Sequence, residues 1–262
     1  MNLILNFSFQ FLGILSCNLL FFFCLWLCSL TLIRSSWVDV FWSATLGAWS
    51  LFFAFSALFS SPETKIACLA TSLITFIWSL RLSLHLMKRL KGTAKEDRRY
   101  GEIIQENPKA WPLKSFFIFL MNAVLVSLLL LPQFVLIESA TVPLSSALFV
   151  GLILMILSLI GEATADYQLA SFIKKNPGKT CSLGLWAYSR HPNYFFEWLF
   201  WVGACLASVT AQYGYLSLSA PLLMFIFLNY FTGIALSEKN AEKRRPDFRA
   251  YKKRTSAFFP WP

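Results

Sequence analysis

Three pairs of polar residues, each with a spacing of four, interrupt long apolar stretches of this sequence and are suited to holding a charged organic ligand. Residues four apart lie on one face of a helix, so each pair predicts a polar stripe. Charged side chains inside membrane helices cost about 2.5–3.5 kcal/mol each, and they therefore usually face a cavity or a partner. The pairs are Arg81 with His85, Glu162 with Asp166, and Asn193 with Glu197.

The residue types favour a phosphorylated cofactor that carries ribose and an aromatic ring. Guanidinium groups hold phosphates, carboxylates accept hydrogen bonds from ribose hydroxyls, and tryptophan or tyrosine rings stack on a heterocycle. No G-x-G-x-x-G segment occurs, so the sequence excludes a Rossmann domain as the carrier. We therefore expect a nucleotide to bind between helices, in a funnel that opens to the cytoplasm and also includes Asp39.

A structural interpretation of the same residues stays open. Ion pairs of Arg81 with Asp39 or Glu197 would fasten helices together. Loop lysines would form ion pairs with Glu162 and Asp166 to the same effect. Arg190 and His191, which lie beside tryptophan and phenylalanine residues, would then serve as anchors at the membrane interface.

The composition predicts an all-α, polytopic membrane protein. Of 262 residues 57% are apolar and only 14% are charged, and the chain contains 27 Phe, which excludes a soluble domain of this length. A helix of about 20 apolar residues crosses a hydrocarbon layer of ~30 Å, and seven runs meet that length. These predicted transmembrane helices are 9–33, 37–60, 66–88, 115–137, 143–165, 193–213 and 216–236.

Lysine and arginine are distributed unevenly between the two sets of connections. Of the 23 basic residues, 21 are Arg34 or lie in the segments 88–114, 174–190 and 239–254, whereas the opposite connections hold only Lys65. The positive-inside rule then places the N-terminus outside and the C-terminus in the cytoplasm. The net charge of +10 is explained by this topology, so we do not expect nucleic acid as a partner.

We expect a single membrane domain over 1–262, because no polar stretch is long enough for a separate soluble domain. Within it, 1–160 would supply helices 1–5 on the side of a lipid substrate. The C-terminal region 161–262 would bind the cofactor with helices 6 and 7 and a tail ending in "FFPWP". The six cysteines show no C-x-x-C spacing and predict reduced packing residues rather than disulfides or metal ligands.

Two segments of this chain resemble the steroid 5-alpha-reductase superfamily: "GLWAYSRHPNYFFEWLFW" (184–201) and the tail "EKNAEKRRPDFRAYKKRTSAFFPW". The likeness extends to a bacterial branch of membrane proteins of unknown function, which shows patterns similar to "WVDVFWS" (37–43), "WSLRLSLHLMKR" (78–89) and "EDRRY" (96–100). The motif does not define the reaction, since sterol reductases and isoprenylcysteine or phospholipid methyltransferases carry related Arg-His-Pro motifs.

The resemblance implies that NADPH binds in a cytosol-facing cavity of seven helices. Carried over by motif, Asn193 and Glu197 would hold the nicotinamide carboxamide, and Glu162 and Asp166 would lie at the ribose. Arginines and a histidine would approach the phosphates, and tail residues would close over the nucleotide. The predicted cofactor-binding set is completed by Arg81, Arg89, Tyr188, Arg190, His191, Glu238, Tyr251 and Arg254.

The chain departs from the steroid reductases at the residues that bind the ketone. Those enzymes use a glutamate on the second span and a tyrosine on the third, whereas this sequence has Asp39 and, at the tyrosine's position, Trp78. We predict that Asp39, protonated by burial, acts with His85 as the donor that stabilises a developing enolate.

Three functions stay open from the sequence. The first is an NADPH-dependent reductase of a conjugated C=C bond (enone) in a steroid-like or other lipid-soluble substrate. A membrane methyltransferase would instead bind S-adenosylmethionine through the Arg-His-Pro segment, and a non-enzymatic lipid or sterol binder would hold a head group. We expect a lipid-soluble substrate and membrane lipids as partners, without an obligate protein partner. The resemblance implies the bacterial cytoplasmic membrane, with the cofactor site facing the cytoplasm.

Overall fold

The computed structural model describes residues 2–92, 96–231 and 233–261, and within these ranges the chain is helical and contains no strand. Part of the predicted loop 88–114, namely 93–95, lies outside the described residues. Short 3-10 turns at Pro108–Ala110, Gly184–Ala187 and Gly214–Leu218 and a π-helical turn at Phe227–Phe231 connect the helices. The helices are α1 Asn2–Ser29, α2 Trp37–Ala57, α3 Pro62–Lys91, α4 Arg98–Glu106, α5 Trp111–Leu129, α6 Leu131–Glu138, α7 Ser146–Lys175, α8 Pro192–Ser208, α9 Ser219–Ile226, α10 Ile234–Arg244 and α11 Phe248–Arg254.

Six helical segments within the described residues are long and apolar enough to cross a membrane. This number indicates an integral membrane protein, as the composition predicted. Helix α8 spans 17 residues and is not among the six. The segments are Leu5–Ser29, Trp37–Ala57, Pro62–Lys91, Pro108–Leu129, Ser146–Lys175 and Gly214–Phe231.

The chain divides into two compact units. The N-terminal unit comprises Met1–Leu144 and Thr210–Ser217, and the C-terminal unit comprises Ser145–Val209 and Leu218–Pro262. The division predicted from the sequence, between 160 and 161, lies inside α7, which belongs as a whole to the C-terminal unit.

Buried hydroxyl groups close the contact between α2 and α3 in the N-terminal unit. Ser43 Oγ lies 2.8 Å from Ser83 Oγ, and Ser79 Oγ donates to the Ser43 carbonyl oxygen. The rings of Trp42 and Trp78 meet edge to face, with centroids 6.2 Å apart. Small hydroxylated residues let the two backbones approach closely, while their hydroxyls are satisfied by neighbouring oxygens.

A second polar contact fixes α1 in the same unit. Asn18 Nδ2 donates to Ser127 Oγ of α5 at 2.9 Å, and Trp49 Nε1 of α2 donates to Asn18 Oδ1 at 2.9 Å. Asn18 is buried, and both ends of its amide are therefore used in packing. Helices α5 and α6 are separated at Leu130, because Pro132 lacks the N–H that would continue the helix.

Helices α7 and α8 form the central pair of the C-terminal unit. They run antiparallel, because contacts further along α7 meet residues earlier in α8. Gly151 lies against Ala207, Met155 against Gly203, and Gly161 against Phe196. A Cβ atom at Gly151 would collide with the backbone of α8 at Gly203 and Ala207. The close approach of the two helices therefore depends on the missing side chain at this position.

The loop from 176 to 191 returns the chain from α7 to the start of α8. Gly184 has φ of +60°, a left-handed conformation that glycine adopts without strain. This turn lets the Leu185 N–H donate to Gln168 Oε1 of α7 at 2.9 Å. Trp186 Nε1 donates to the Ala165 carbonyl oxygen at 3.0 Å, so the loop is fastened to the turn of α7 that carries Asp166.

Candidate cofactor site

The four predicted polar residues of α7 and α8 lie at one end of this helix pair. Asn193 Nδ2 donates to Asp166 Oδ1 at 3.3 Å, which joins the two helices directly. Glu162 lies one turn from Asp166 and is only 3% exposed. The register of the antiparallel pair places Glu197 at the level of Glu162. We call Glu162, Asp166, Asn193 and Glu197 the polar end of the α7–α8 pair.

Asn193 has capacity to bind a ligand. Its Nδ2 atom is used by Asp166, whereas its Oδ1 atom is buried and has no hydrogen-bond partner among the described residues. A buried acceptor without a donor costs about 1–3 kcal/mol, so a ligand N–H or O–H placed there would relieve that cost. Because the Asp166 carboxylate also only accepts when ionised, the polar end suits a ligand group with several donors. A carboxamide NH₂ is such a group.

The first turn of α8 holds Asn193 in place. Pro192 occupies the first helical position, where its missing N–H is no loss. The carbonyl oxygen of the preceding His191 accepts from the Phe195 N–H at 3.1 Å. The His191 ring is stacked on Tyr194, with centroids 5.3 Å apart and planes 4° from parallel. The imidazole therefore has a single well-defined position at the helix start.

The Arg190 side chain is 9% exposed and binds the C-terminal part of the chain. Its Nε donates to Glu238 Oε1 at 2.7 Å. Its Nη1 donates to the carbonyl oxygens of Lys252 at 2.8 Å and Thr255 at 2.7 Å. The backbone N–H of Arg190 donates to the Ser256 carbonyl oxygen at 2.8 Å. The guanidinium predicted to approach phosphates is thus engaged by the protein.

Glu238 is the negative centre of this cluster. Burial by itself would raise its pKa, but the His191 ring, 3.5 Å away, and hydrogen bonds from Arg190 and Lys252 outweigh burial and lower the pKa of Glu238 from 4.5 to about 2. Burial lowers the pKa of His191 below 6.5, although Glu238, 3.5 Å from its Nε2, acts in the opposite direction. At neutral pH the carboxylate is therefore ionised and the imidazole is neutral.

Tyr251 and Tyr188 connect the tail to the loop before α8. The Tyr251 hydroxyl donates to the carbonyl oxygens of Trp186 and Ser189, and burial raises the pKa of Tyr251. The Tyr188 side chain is 53% exposed, but its carbonyl oxygen accepts from the Trp261 N–H at 3.0 Å. Both predicted residues therefore contact protein atoms in this structure.

The remaining predicted cofactor residue of the C-terminal unit, Arg254, is the last residue of α11 and is exposed. The start of the same segment is anchored by Asp247, which accepts from the backbone N–H of Thr180 at 2.9 Å and from its hydroxyl at 2.8 Å. The backbone N–H of Thr180 is the main cause that lowers the pKa of Asp247.

The predicted residues Asp39 and Arg89 belong to the N-terminal unit, which has its own polar cluster. Asp39 lies in the first turn of α2, and its Oδ1 accepts from the Tyr100 hydroxyl at 2.9 Å. Arg89 forms an ion pair with Asp97. These contacts tie the segment after α3 to the end of α3 and to the beginning of α2.

Arg81 and His85 lie one turn apart on α3 of the N-terminal unit. Arg81 is half-buried, whereas His85 is exposed. Trp78, which stands where the steroid reductases have a ketone-binding tyrosine, is fully buried against Trp42. Trp78 is therefore a packing residue of the contact between α2 and α3.

Sequence reasoning missed Tyr100 and Glu96 in the N-terminal unit. Glu96 accepts from the backbone N–H groups of Ser35 at 2.9 Å and Ser36 at 3.0 Å, which precede α2. The segment "EDRRY" was recognisable as a pattern, but a pattern alone does not say which residue its tyrosine contacts. The side chains of the two arginines in that segment lie outside the described residues.

Lys252 and Thr255 in the C-terminal unit were also missed. Lys252 Nζ lies 3.1 Å from Glu238 Oε2 and 2.9 Å from Glu242 Oε1, and these carboxylates raise the pKa of Lys252. Thr255 contacts Arg190 through its carbonyl oxygen. Because every residue type has this backbone atom, the sequence cannot indicate such a contact.

All six cysteines are free. Cys68 and Cys205 are buried in helices, and Cys181 is buried in the loop after α7. Within the described residues, no group of three or more His, Cys, Asp or Glu side chains is placed to hold a metal ion.

The fold and the polar end of the α7–α8 pair define a helical integral membrane protein with a polar site between two of its helices. Residues 25–255 match the family described as "Protein of unknown function (DUF1295)", so the chain belongs to that family. It is also similar to an uncharacterized protein of Schizosaccharomyces pombe, with 25% identity over 90% of this chain and 75% of that protein. No solved structure matches the chain.

Proposed function

We propose that this protein is an NADPH-dependent reductase of a conjugated C=C bond in a steroid-like or other lipid-soluble substrate. The proposal includes seven transmembrane helices, with α8 as the sixth, an outer N-terminus and a cytoplasmic C-terminus. It also includes the bacterial cytoplasmic membrane as the location and a cofactor site that faces the cytoplasm. The resemblance of the Arg-His-Pro-Asn-Tyr segment to steroid 5-alpha-reductases supports these finer points.

The observation that carries the proposal is the buried Oδ1 atom of Asn193, which has no donor among the described residues. It lies on a side chain already oriented by Asp166, so the acceptor has a defined direction. A nicotinamide carboxamide carries two N–H donors and would satisfy both this atom and a nearby carboxylate. The residues present at the polar end of the α7–α8 pair therefore fit the amide end of a nicotinamide cofactor.

The fit is weaker for the phosphates. Arg190 gives its guanidinium to Glu238 and to carbonyl oxygens of the tail, and Glu238 neutralises its charge. In the C-terminal unit, Arg254 is exposed and remains our candidate for a phosphate contact. We therefore assign Arg190 and Glu238 to holding the protein around the cofactor rather than to binding it.

When bound, NADPH would supply a hydride to the β-carbon of an enone, and the protein must supply the proton. Asp39 and His85 of the N-terminal unit stay our proposed donors. Asp39 Oδ1 already accepts a hydrogen bond from the Tyr100 hydroxyl, which keeps its carboxyl group oriented. The proton donor would stabilise a developing enolate, an effect worth about 2.7–4 kcal/mol for comparable oxyanion contacts.

The proposal is tested by thermal unfolding of the purified protein with NADPH, NADH or S-adenosylmethionine. A ligand that binds only the native state stabilises it by RT ln(1 + [L]/Kd), or about 2.7 kcal/mol at a hundredfold excess over Kd. We expect NADPH to raise the unfolding temperature and S-adenosylmethionine to leave it unchanged. Stabilisation by S-adenosylmethionine alone would instead indicate a methyltransferase, and stabilisation by none would favour a lipid binder.

Variants locate the binding site. We expect Asn193→Ala and Glu197→Ala to fold and to lose most of the NADPH-induced stabilisation. Asn176→Ala is the matched control, because it removes an amide of the same size whose Nδ2 donates to the Phe172 carbonyl oxygen at the end of α7. Wild-type affinity for NADPH in both site variants would show that the cofactor binds elsewhere.

A further inference from the structure

A buried ion pair lies where the C-terminal tail meets the start of α8. The side chains of Arg190 and Glu238 are 9% and 8% exposed, and their Nε and Oε1 atoms are 2.7 Å apart. We infer that Arg190 is a positioning residue, and that this pair, which we call the tail clasp, couples docking of the tail to the geometry of Asn193. The inference rests on the proposed function for the identity of the ligand and concerns how the site is assembled.

The tail fixes the turn from which α8 begins. The Ser256 carbonyl oxygen accepts from the Arg190 N–H at 2.8 Å, and Ser189 Oγ donates to the Phe258 carbonyl oxygen at 2.9 Å. Ser189 Oγ in turn accepts from the His191 N–H at 3.1 Å. Three consecutive residues before Pro192 are thus held by hydrogen bonds that lead to the tail, and Asn193 follows directly.

An aromatic contact fixes the next turn of α8 to the same tail. Phe258 is 4% exposed, and its ring centroid lies 6.0 Å from that of Phe195 and 5.9 Å from that of Trp198. It also lies 5.5 Å from the Phe225 ring of α9. Because Phe195 and Trp198 flank Glu197 and follow Asn193 on the helix, tail docking orients the part of α8 that would contact a ligand.

In the docked tail the buried Glu238 carboxylate and Arg190 guanidinium compensate each other's charge, and truncation of either side chain would leave the other buried and unpaired. Breaking a buried ion pair by removal of one member is strongly destabilising, because the other charge stays uncompensated. The docked tail therefore depends on the tail clasp. By thermodynamic linkage, a ligand that requires the docked geometry of α8 must also favour tail docking to the same extent.

The tail clasp is tested first without any ligand, by limited trypsin digestion. Lys252, Lys253 and Arg254 form the last turn of α11, and cleavage after Arg254 releases residues 255–262, which intact-mass measurement detects. We expect Glu238→Gln to speed this release by about tenfold or more, since cleavage follows the population of the opened tail.

Glu242→Gln is the matched control on the same helix. Glu242 also binds Lys252, at 2.9 Å, but its side chain is 34% exposed, and exposed pairs contribute little. We expect this variant to release the peptide at a rate within about twofold of the wild type. Equal rates for Glu238→Gln and Glu242→Gln would overturn the tail clasp.

The conservative variant Arg190→Lys separates a specific pair from general packing. Lysine keeps the charge but loses the planar fork that reaches Glu238 and two carbonyl oxygens. If the pair acts as a unit, the double variant Arg190→Lys/Glu238→Gln releases the peptide no faster than the faster single variant. A rate increase in the double variant equal to the product of the two single-variant increases would show that the two residues act independently.

Coupling to the ligand is tested with NADPH. We expect saturating NADPH to slow peptide release from the wild type, and Glu238→Gln to weaken NADPH binding by about tenfold while Glu242→Gln leaves it unchanged. NADPH binding without any change in peptide release would overturn the coupling and leave the proposed function intact. Absence of NADPH binding would overturn both the proposed function and the coupling. The rates of peptide release measured without ligand would still test whether the tail clasp holds the tail.

Discussion

Two helix pairs, one in each unit, use their polar residues differently. In the α2–α3 pair the hydroxyls meet one another or nearby carbonyl oxygens, as Ser43 does with Ser83 at 2.8 Å. The α7–α8 pair packs through Gly151 at one end and gathers carboxylates and an amide at the other. Hydroxyls thus serve packing in the first pair. The second pair retains a buried acceptor, Asn193 Oδ1, that has no donor among the described residues.

The difference teaches that a polar residue inside a membrane helix is not by itself a sign of function. Serine and threonine in helices return their hydroxyls to the carbonyl oxygen four residues earlier, as Ser50 does with Leu46 and Thr75 with Thr71. A carboxylate or a primary amide has more hydrogen-bonding capacity than its own helix can use. Such residues therefore point to a binding site when they collect on facing helices.

The largest effect is expected where α7 and α8 approach most closely. Gly151→Leu would force its side chain into the backbone of α8, and overpacking of this kind costs typically 1–3 kcal/mol and occasionally more. We expect about 3 kcal/mol or more and a clear loss of folded protein, measured by thermal unfolding in detergent. Gly13→Leu is the control, because a Cβ at Gly13 meets nothing within 4 Å. Comparable losses in both variants would contradict a close contact at Gly151.

The second prediction concerns acid stability of the C-terminal unit. Glu238 has its pKa lowered from 4.5 to about 2, so its stabilisation is complete above pH 4.5 and is lost as the pH falls toward 2. A shift of this size corresponds to about 3 kcal/mol. The lowered pKa of His191 acts in the same direction, because below pH 6.5 the unfolded chain binds the proton more readily.

Unfolding followed from pH 7 to pH 3 measures this loss. The groups that face Glu238 are Arg190, His191 and Lys252, and only His191 among them titrates in this range. We expect Glu238→Gln to start from a lower stability at pH 7 and to show a flatter dependence below pH 4.5. A variant with the wild-type slope would show that Glu238 is not the responsible carboxylate.

A smaller effect is expected at the polar cluster of the N-terminal unit. Tyr100→Phe removes the hydroxyl that donates to Asp39, and we expect a loss of about 1–2 kcal/mol in the free energy of unfolding. Tyr215→Phe belongs to the same unit and is the control, since its side chain is 65% exposed. Equal stability of the two variants would mean that the hydrogen bond to Asp39 contributes nothing.

The smallest change in stability is expected in a direct comparison of one variant from each helix pair. Ser43→Ala should lower stability by about 1 kcal/mol, the typical net worth of one hydrogen bond, and should leave NADPH-induced stabilisation unchanged. Asn193→Ala should show the reverse: the lost hydrogen bond to Asp166 is offset by removal of the buried, unsatisfied Oδ1, so stability changes little while the NADPH effect is lost. The two variants measured side by side, each with and without NADPH, test the distinction between packing and binding residues.

The helices were predictable because the length and apolarity of each run can be read directly from the sequence. The predicted spans 37–60 and 143–165 overlap α2 and α7 over most of their lengths, and six such segments are present in the described residues. Helix ends were less predictable. The polar residues of α7 continue its helix to Lys175, well beyond the apolar run, because a helix does not stop where the membrane would end.

The partners of the site residues were only partly predictable. A spacing of four places Glu162 with Asp166 on one face, and the structure brings Asp166 to Asn193. The partner of Arg190 is Glu238, 48 residues away in the chain, and no local pattern encodes such a contact. The same is true of Tyr100 and Asp39, which are 61 residues apart.

We propose above that the polar end of the α7–α8 pair binds the amide end of a nicotinamide cofactor. An electron cryomicroscopy map of the protein with saturating NADPH tests it most directly. We expect nucleotide density with the carboxamide within hydrogen-bond distance of Asn193 Oδ1. Density for NADPH at another place, or a map of equal quality in which Asn193 Oδ1 meets only protein atoms, would contradict it.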